Sequence, residues 1–147
     1  EPAPDLVPRI RRYFSELSRA YDQSKQSHNH HLLVSVVDHI KAESAKPTLD
    51  LVSVADSFSV STSYLSRFLK EQTGITFHTL VEDYRIEKAA DLLRKTSLSV
   101  KRVAAEVGFG SHNSFCRAFK RSRGVTPTAF RSLPISATSS RDRSISR

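Results

Sequence analysis

The chain has 147 residues, with 23 Lys and Arg against 15 Asp and Glu, and a formal net charge of +8 at neutral pH. This length holds one domain or two very small ones. No run approaches the ~18 consecutive apolar residues that a membrane span requires. The single cysteine excludes a disulfide framework, and four glycines with six prolines are too few for the turns of an all-β sandwich. The excess of positive charge indicates a polyanionic partner, either nucleic acid or an anionic membrane surface.

The beginning of the chain has none of the features of a secretion signal. Residues Glu1 to Pro4 lack a basic start and a following apolar run, and the chain contains no methionine. We therefore expect a piece of a longer polypeptide, located in the cytoplasm.

The first predicted helix covers residues 5–24, with Asp5 as its N-cap. Apolar residues recur there every three or four positions, at Leu6, Ile10, Tyr13, Phe14, Leu17 and Tyr21. Residues 23–27 are polar and predict a linker. A second helix is expected from about Asn29 to a point before Pro47, because Leu32, Leu33, Val36, Val37 and Ile40 share one face.

From Asp50 onward the predicted helices become shorter. Asp50 caps one, and a second ends at Gly74, which suits the left-handed conformation of a helix terminus. The longest helix then runs from about Thr76 to Thr96. Its apolar residues begin on one stripe (Phe77, Leu80, Val81, Tyr84) and continue on another (Ile86, Ala89, Ala90, Leu93), which indicates a different neighbour at each end.

The short-helix pattern then returns. Ser99 caps one helix, Gly108 makes a turn, and the next helix closes at Gly124. Thr126 and Pro127 begin the last helix as N-cap and first helical residue. Residues 134–147 lack a periodic apolar set and are predicted to form a disordered basic tail.

The two pairs of short helices form an internal repeat. Val54-Ala55 matches Val103-Ala104 at an offset of 49, and beyond the turn the offset is 50. The matches at 50 are Arg67 with Arg117, Lys70 with Lys120, Gly74 with Gly124 and Thr76 with Thr126. A short helix, a turn and a longer helix make a helix-turn-helix unit, whose second helix enters the major groove of DNA.

The residues of this repeat resemble the AraC/XylS family of bacterial transcription regulators. The similarity is carried by residues 50–55, 61–74, 84–89, 103–109, 115–120 and 124–127. It covers roughly residues 29–133 and implies an all-α fold in which a long central helix joins two helix-turn-helix subdomains. We expect an N-terminal linker helix and polar linker at 1–28, a first subdomain at 29–75, a connecting helix at 76–97, a second subdomain at 98–133 and the tail at 134–147.

The outward positions of the two recognition helices are the candidates for base readout. Arg67 and Arg117 suit a guanine edge, and Asn113 suits adenine. The remaining candidates are Ser63, Ser66, His112 and Cys116, where the serines match family base-contacting positions. Candidates for phosphate contact are Ser61, Thr62, Lys70, Lys101, Ser111, Lys120, Arg121 and Arg123.

Competing interpretations attach to these residues. Arg67 and Arg117 could be solvated helix residues, or each could form an ion pair with an acidic residue of the same domain. His28, His30 and His31 are three crowded histidines without nearby cysteines, so we expect no metal site. No Gly-rich phosphate loop, nucleophile elbow or His-Glu-x-x-His motif occurs, so we expect neither an enzyme nor a cofactor.

The sequence thus predicts a sequence-specific, double-stranded DNA-binding transcription regulator, an activator by the commoner role of the family. Expected partners are DNA and RNA polymerase, and no membrane. The N-terminal helix either packs on its own domain or, like an absent upstream domain, joins the chain to a second copy, and the sequence leaves both open. The alternative is a non-specific electrostatic binder of nucleic acid or of a membrane surface. Two departures from the family pattern concern the first subdomain: Ser59 stands where Gly is usual, so that turn is expected to be strained or reshaped, and Leu69 replaces Phe.

Overall fold

The computed structural model describes residues 6–134, and every regular element in that range is an α-helix. The helices are α1 (Leu6–Glu43), α2 (Leu51–Ser57), α3 (Thr62–Thr73), α4 (Phe77–Lys95), α5 (Val100–Glu106), α6 (His112–Arg123) and α7 (Pro127–Ser132). The predicted all-α class, with two helix-turn-helix subdomains and a long central helix, is confirmed. The predicted N-cap Asp5 and residues 135–147 of the predicted tail lie outside the described residues.

The predicted polar linker at residues 23–27 is wrong, because α1 continues through it without a break. Polar character alone does not end a helix. Residues 22–31 contain neither Gly nor Pro, and each residue added to an existing helix contributes one more backbone hydrogen bond. Two ends at this point would instead leave up to eight backbone groups without helical partners. The described part of the chain divides into two compact units, one ending at Asp38 and the other beginning at His39.

The first helix-turn-helix is α2 and α3, and side chains define where each begins. The Asp50 carboxylate accepts a hydrogen bond from the Ser53 N–H at 2.8 Å, and the Ser61 hydroxyl accepts one from the Tyr64 N–H at 3.1 Å. Helix α3 ends at Gly74, whose φ of 78° is left-handed. The faces of α2 and α3 that point inward are buried, at Val54, Ala55, Leu65, Phe68 and Leu69.

The second helix-turn-helix, α5 and α6, repeats this geometry at the backbone. Gly124 ends α6 with the same φ of 78° and ψ of −6° as Gly74. In the two turns, Val60 N–H donates to the Ala55 carbonyl and Phe109 N–H to the Ala104 carbonyl, both at 3.0 Å. The repeat found in the sequence is therefore a repeat of structure.

Helix α4 contacts α3, α5, α6 and α7. Its later stripe enters the core of the second subdomain, while Leu80 and Val81 are buried nearer its start. The later stripe packs in the second subdomain, whereas the separate neighbour expected for the first stripe stays a prediction. That second core consists of Ile86, Ala89, Ala90, Leu93, Val103, Ala104, Val107, Phe115, Ala118, Phe119 and Phe130. One helix thus holds both recognition helices, α3 and α6.

Candidate nucleic-acid interface

Helices α3 and α6 each have 12 residues, one buried face and one face in solvent. The buried faces orient the helices, because three side chains of each are fixed in a core. The predicted base-readout residues that the structure leaves exposed are Ser63, Ser66 and Arg67 on α3, and His112, Asn113 and Arg117 on α6. The fold brings each set together on one helix face, as a base-contacting surface requires.

Arg67 and Arg117 stand at matching places on the two helices, and both are exposed. Within residues 6–134 neither guanidinium has an acidic partner. The competing interpretation of these arginines as ion-paired parts of the frame therefore has no support among the described residues. Each retains its five N–H donors for an acceptor from outside the chain.

Cys116 differs from its predicted orientation. The sequence placed it on the outward face of α6, but its side chain is half-buried and packs against the core of the second subdomain. Its Sγ lies 3.5 Å from His112 Nε2, one helical turn earlier. The orientation of α6 that buries Phe115 and Phe119 also turns position 116 toward the core. Helical spacing alone did not predict on which side of α6 this residue lies.

The serines at the two helix starts are used as caps in the free chain. The Ser61 oxygen accepts from the Tyr64 N–H at 3.1 Å, which leaves its own O–H able to donate to a phosphate. Ser111 accepts from the Ser114 N–H and also donates to the Ser114 Oγ at 2.8 Å. The two serines are equivalent in the repeat but not in the donors that they offer. Thr62, the first residue of α3, is half-buried.

The predicted phosphate-binding cations fall into two groups. Lys101 and Lys120 are exposed, and no described residue pairs with them. Lys70 donates from Nζ to the Gly74 carbonyl at 2.7 Å, so it helps to close the end of α3. Arg121 forms an ion pair with Glu82 of α4.

Arg123 belongs to a charged group at the start of α4. It is half-buried. Burial raises the pKa of the Asp83 carboxyl above its usual value and the negative charge of Glu82 raises it further, while the positive charge of Arg123 offsets part of both effects. The acids of α4 therefore compete with phosphate for Arg121 and Arg123.

Two arginines hold the fold together by hydrogen bonds to distant backbone carbonyls. This role was not predicted from the sequence. Arg85 donates to the carbonyls of Ser44 at 2.7 Å and Lys46 at 3.0 Å, beyond the end of α1. In the second subdomain Arg131 of α7 donates to the carbonyls of Leu93, at 3.1 Å, and Leu98. Each arginine thus reaches back to carbonyls at or just beyond the end of the helix that precedes its helix-turn-helix. Every residue has a backbone carbonyl, so no sequence motif predicts which of them accepts such a hydrogen bond.

Arg85 also contacts the second turn and so connects the two subdomains. Its guanidinium lies 5.9 Å from the centroid of the Phe109 ring. A Cβ added to Gly108 would stand 3.0 Å from Arg85 Nε and 2.8 Å from the Ala45 carbonyl oxygen. The segment that follows α1, the start of the second turn and Arg85 therefore meet in one tightly packed junction. This junction constrains the placement of α6 relative to the first subdomain.

Among the described residues, no group of three or more His, Cys, Asp or Glu side chains is arranged to hold a metal ion. His30 and His31 meet edge to face, with ring centroids 6.2 Å apart. The helices of residues 6–134 include none that is long and apolar enough to cross a bilayer.

Comparison with known proteins agrees with this geometry. A family model described as a helix-turn-helix domain matches residues 54–132. The chain is 41% identical over 102 residues to the HTH-type transcriptional regulator YfiF of Bacillus subtilis, and 35% identical over 96 residues to the arabinose operon regulatory protein of Escherichia coli K12. These matches include 69% and 65% of this chain, but it spans only 32% of either relative.

A solved structure shows the same fold. The DNA-binding domain of AdpA, a global transcriptional factor crystallised in complex with a target DNA, superposes with a TM-score of 0.64 at 26% identity. The match covers 68% of this chain and 89% of that one. The relatives are transcription regulators rather than enzymes. With its paired helix-turn-helix units, the chain belongs to the AraC/XylS family of DNA-binding transcription regulators.

Proposed function

We propose that this chain binds specific duplex DNA by placing α3 and α6 in successive major grooves on one side of the double helix. The observation that carries the proposal is the matched pair Arg67 and Arg117. Both are exposed, both are free of acidic partners among residues 6–134, and they occupy equivalent positions of two helices held by α4. The two DNA segments that they contact would be about one helical turn, ~10–10.5 bp, apart.

The residues divide by role in this proposal. Arg67 and Arg117 recognise guanine edges and Asn113 an adenine edge, with Ser63, Ser66 and His112 in support. Cys116, half-buried against the core of the second subdomain, is given no base contact in this proposal. Ser61, Thr62, Ser111 and the cations Lys70, Lys101, Lys120, Arg121 and Arg123 contact phosphates. Arg121 exchanges Glu82 for a phosphate, so its contribution to affinity is smaller than that of Lys101 or Lys120.

We further propose that the chain is the DNA-binding part of a longer activator, with an effector-sensing or dimerisation domain upstream. In that role its partners are RNA polymerase and a second copy, and its place is the nucleoid of the cytoplasm. The domain limits 1–28, 29–75, 76–97, 98–133 and 134–147 follow the same division, with α1 as one helix across the first boundary. Expression of a reporter with and without the regulator tests activation, and a lower signal with the regulator would contradict it.

Selection of bound sites from random duplex DNA tests the DNA proposal directly. The expected result is two short preferred segments about one helical turn apart. Titration of a selected duplex against salt should then give a log–log slope of about −0.9 for each neutralised phosphate. An unrelated duplex and anionic liposomes are the controls. Equal affinity for all duplexes, or preference for liposomes, would contradict specific binding and favour the electrostatic alternative.

A further inference from the structure

The two helix-turn-helix motifs repeat one backbone geometry but differ in charge. Residues 50–74 of the first contain two Lys and Arg against three Asp and Glu, a net charge of −1. The equivalent residues 99–124 of the second contain six Lys and Arg against one Glu, a net charge of +5. A duplex presents a regular row of phosphates, so the two motifs meet the same polyanion with opposite net charge.

The difference in charge lies at equivalent positions of the repeat. Lys101 on α5 is exposed, and its equivalent on α2 is Val52, an apolar side chain that is 55% exposed. Arg121 on α6 corresponds to the exposed acid Glu71 on α3. Because α2 and α5 begin at equivalent residues, as do α3 and α6, these exchanges change the charge of the surface but not its backbone. The remaining exchanges are Arg102 with Ser53 and Arg123 with Thr73.

The lysine that both motifs keep is used differently in each. Lys70 donates from Nζ to the Gly74 carbonyl at 2.7 Å, whereas its equivalent Lys120 is exposed and has no partner among residues 6–134. The cations of the two motifs that have neither an acid nor a carbonyl as partner in this range are Arg67 in the first, and Lys101, Arg117 and Lys120 in the second.

We propose that the chain holds unrelated duplex DNA through the second helix-turn-helix alone, and that the first engages only where the bases match. Binding without sequence preference is supplied by cations at phosphates, and the first motif offers one free cation beside three acids. Its base contacts, through Ser63, Ser66 and Arg67, contribute only at a matching segment, where Lys70 exchanges the Gly74 carbonyl for a phosphate. This division rests on the proposed function. Its consequence is a low affinity for unrelated DNA, which the chain therefore leaves readily.

The two equivalent lysines provide a matched test on a duplex that lacks both preferred segments. Lys120→Gln should lower the affinity for this unrelated duplex several-fold and make the log–log salt slope shallower by about 0.9, the effect of one phosphate contact. Lys70→Gln should change neither quantity there, but should lower the affinity for a selected duplex. Circular dichroism at the temperature of the binding experiment verifies that both variants are folded. Losses on the unrelated duplex that are equal, absent or larger in Lys70→Gln would overturn the proposal.

A gain of charge tests the cause of the difference. Val52→Lys gives the first helix-turn-helix the cation that Lys101 gives the second, so affinity for the unrelated duplex should rise several-fold and the salt slope should steepen by about 0.9. Val34→Lys adds the same charge at an exposed valine of α1 and is the control, with no change in slope expected. An unchanged slope in Val52→Lys, or equal steepening in both variants, would contradict the proposed cause.

The unmodified chain separates this proposal from the proposed function. Equal affinity for selected and unrelated duplexes would contradict specific binding, while Lys70→Gln and Lys120→Gln would still decide which helix-turn-helix holds the DNA. Preference for the selected duplex, together with equal losses from the two lysine variants on the unrelated one, would overturn the present proposal alone. Absence of binding to any duplex would overturn both.

Discussion

Ser59 and Gly108 occupy the same place in the two helix-turn-helix turns, and both have a positive φ, 54° for Ser59 and 100° for Gly108. Within residues 6–134, Ser59 is the single residue other than glycine with this property. The predicted strain in the first turn is therefore located at one residue. The second turn needs glycine for an additional reason, since a Cβ on Gly108 would lie 2.8 Å from the Ala45 carbonyl oxygen.

Ser59→Gly should stabilise the chain. A left-handed residue with a Cβ costs about 1–2 kcal/mol, and the greater flexibility of unfolded glycine offsets about 0.5–1 kcal/mol of the gain. The expected increase in the free energy of unfolding is thus about 0.5–1 kcal/mol, measured by urea denaturation. Gly108→Ala is the contrasting variant and should destabilise by about 2 kcal/mol or more, because strain and the close contact with Ala45 add. A loss of stability in Ser59→Gly would contradict this account.

Arg85→Met should weaken both the fold and the coupling between the two DNA-contacting halves. Methionine fills much of the space but leaves the Ser44 and Lys46 carbonyls without their charged donor, at a cost of about 2 kcal/mol. Under conditions in which the variant remains folded, its affinity for a duplex with both segments should fall more than its affinity for a duplex with one segment. The reason is that Arg85 also contacts the second turn. Lys88→Met, exposed on the same helix, is the control. Equal losses on both duplexes would show that Arg85 affects stability alone.

Arg117→Ala should reduce affinity for a selected site by about 1–3 kcal/mol and relax the preference at one base pair. Arg67→Ala should do the same about one helical turn away. Binding to a panel of single-base variants of the site measures both effects, and Arg19→Ala removes an equal charge from α1 as the control. A uniform loss across all sequences would make the arginine a phosphate contact rather than a reader of bases.

Asp83→Asn should stabilise the chain at neutral pH. Burial and the Glu82 charge raise the pKa of Asp83, so the folded state binds this proton more tightly than the unfolded state does. Stability is lost as the pH rises from the usual pKa of about 3.8 through the raised pKa, and the loss persists at higher pH. The gain in Asp83→Asn should accordingly shrink as the pH falls toward 3.8. Urea denaturation across this range measures it, with the exposed Asp91→Asn as control; a gain independent of pH would argue against the assignment.

Much of this fold was predictable because local chemistry repeats along the chain. Caps such as Asp50 and Ser99, left-handed glycines such as Gly74 and Gly124, and periodic apolar faces act through residues three or four apart, which the sequence displays directly. The polar linker at 23–27 was mispredicted for a related reason. Composition suggested a break, whereas helix propagation depends on the absence of Gly and Pro.

The sequence by itself determined helices α2 to α7, the repeat and the two outward faces that carry Arg67 and Arg117. Only the tertiary structure showed which cations remain free. Glu82 and Asp83 precede Arg121 and Arg123 by about 40 residues, and Arg85 and Arg131 bind carbonyls more than 30 residues away. Such pairs form through the packing of α4 against α6, α7 and the segment that follows α1, and they have no period along the chain. The net charge of +8 therefore indicated a polyanion, but the fold decides which of those charges face it.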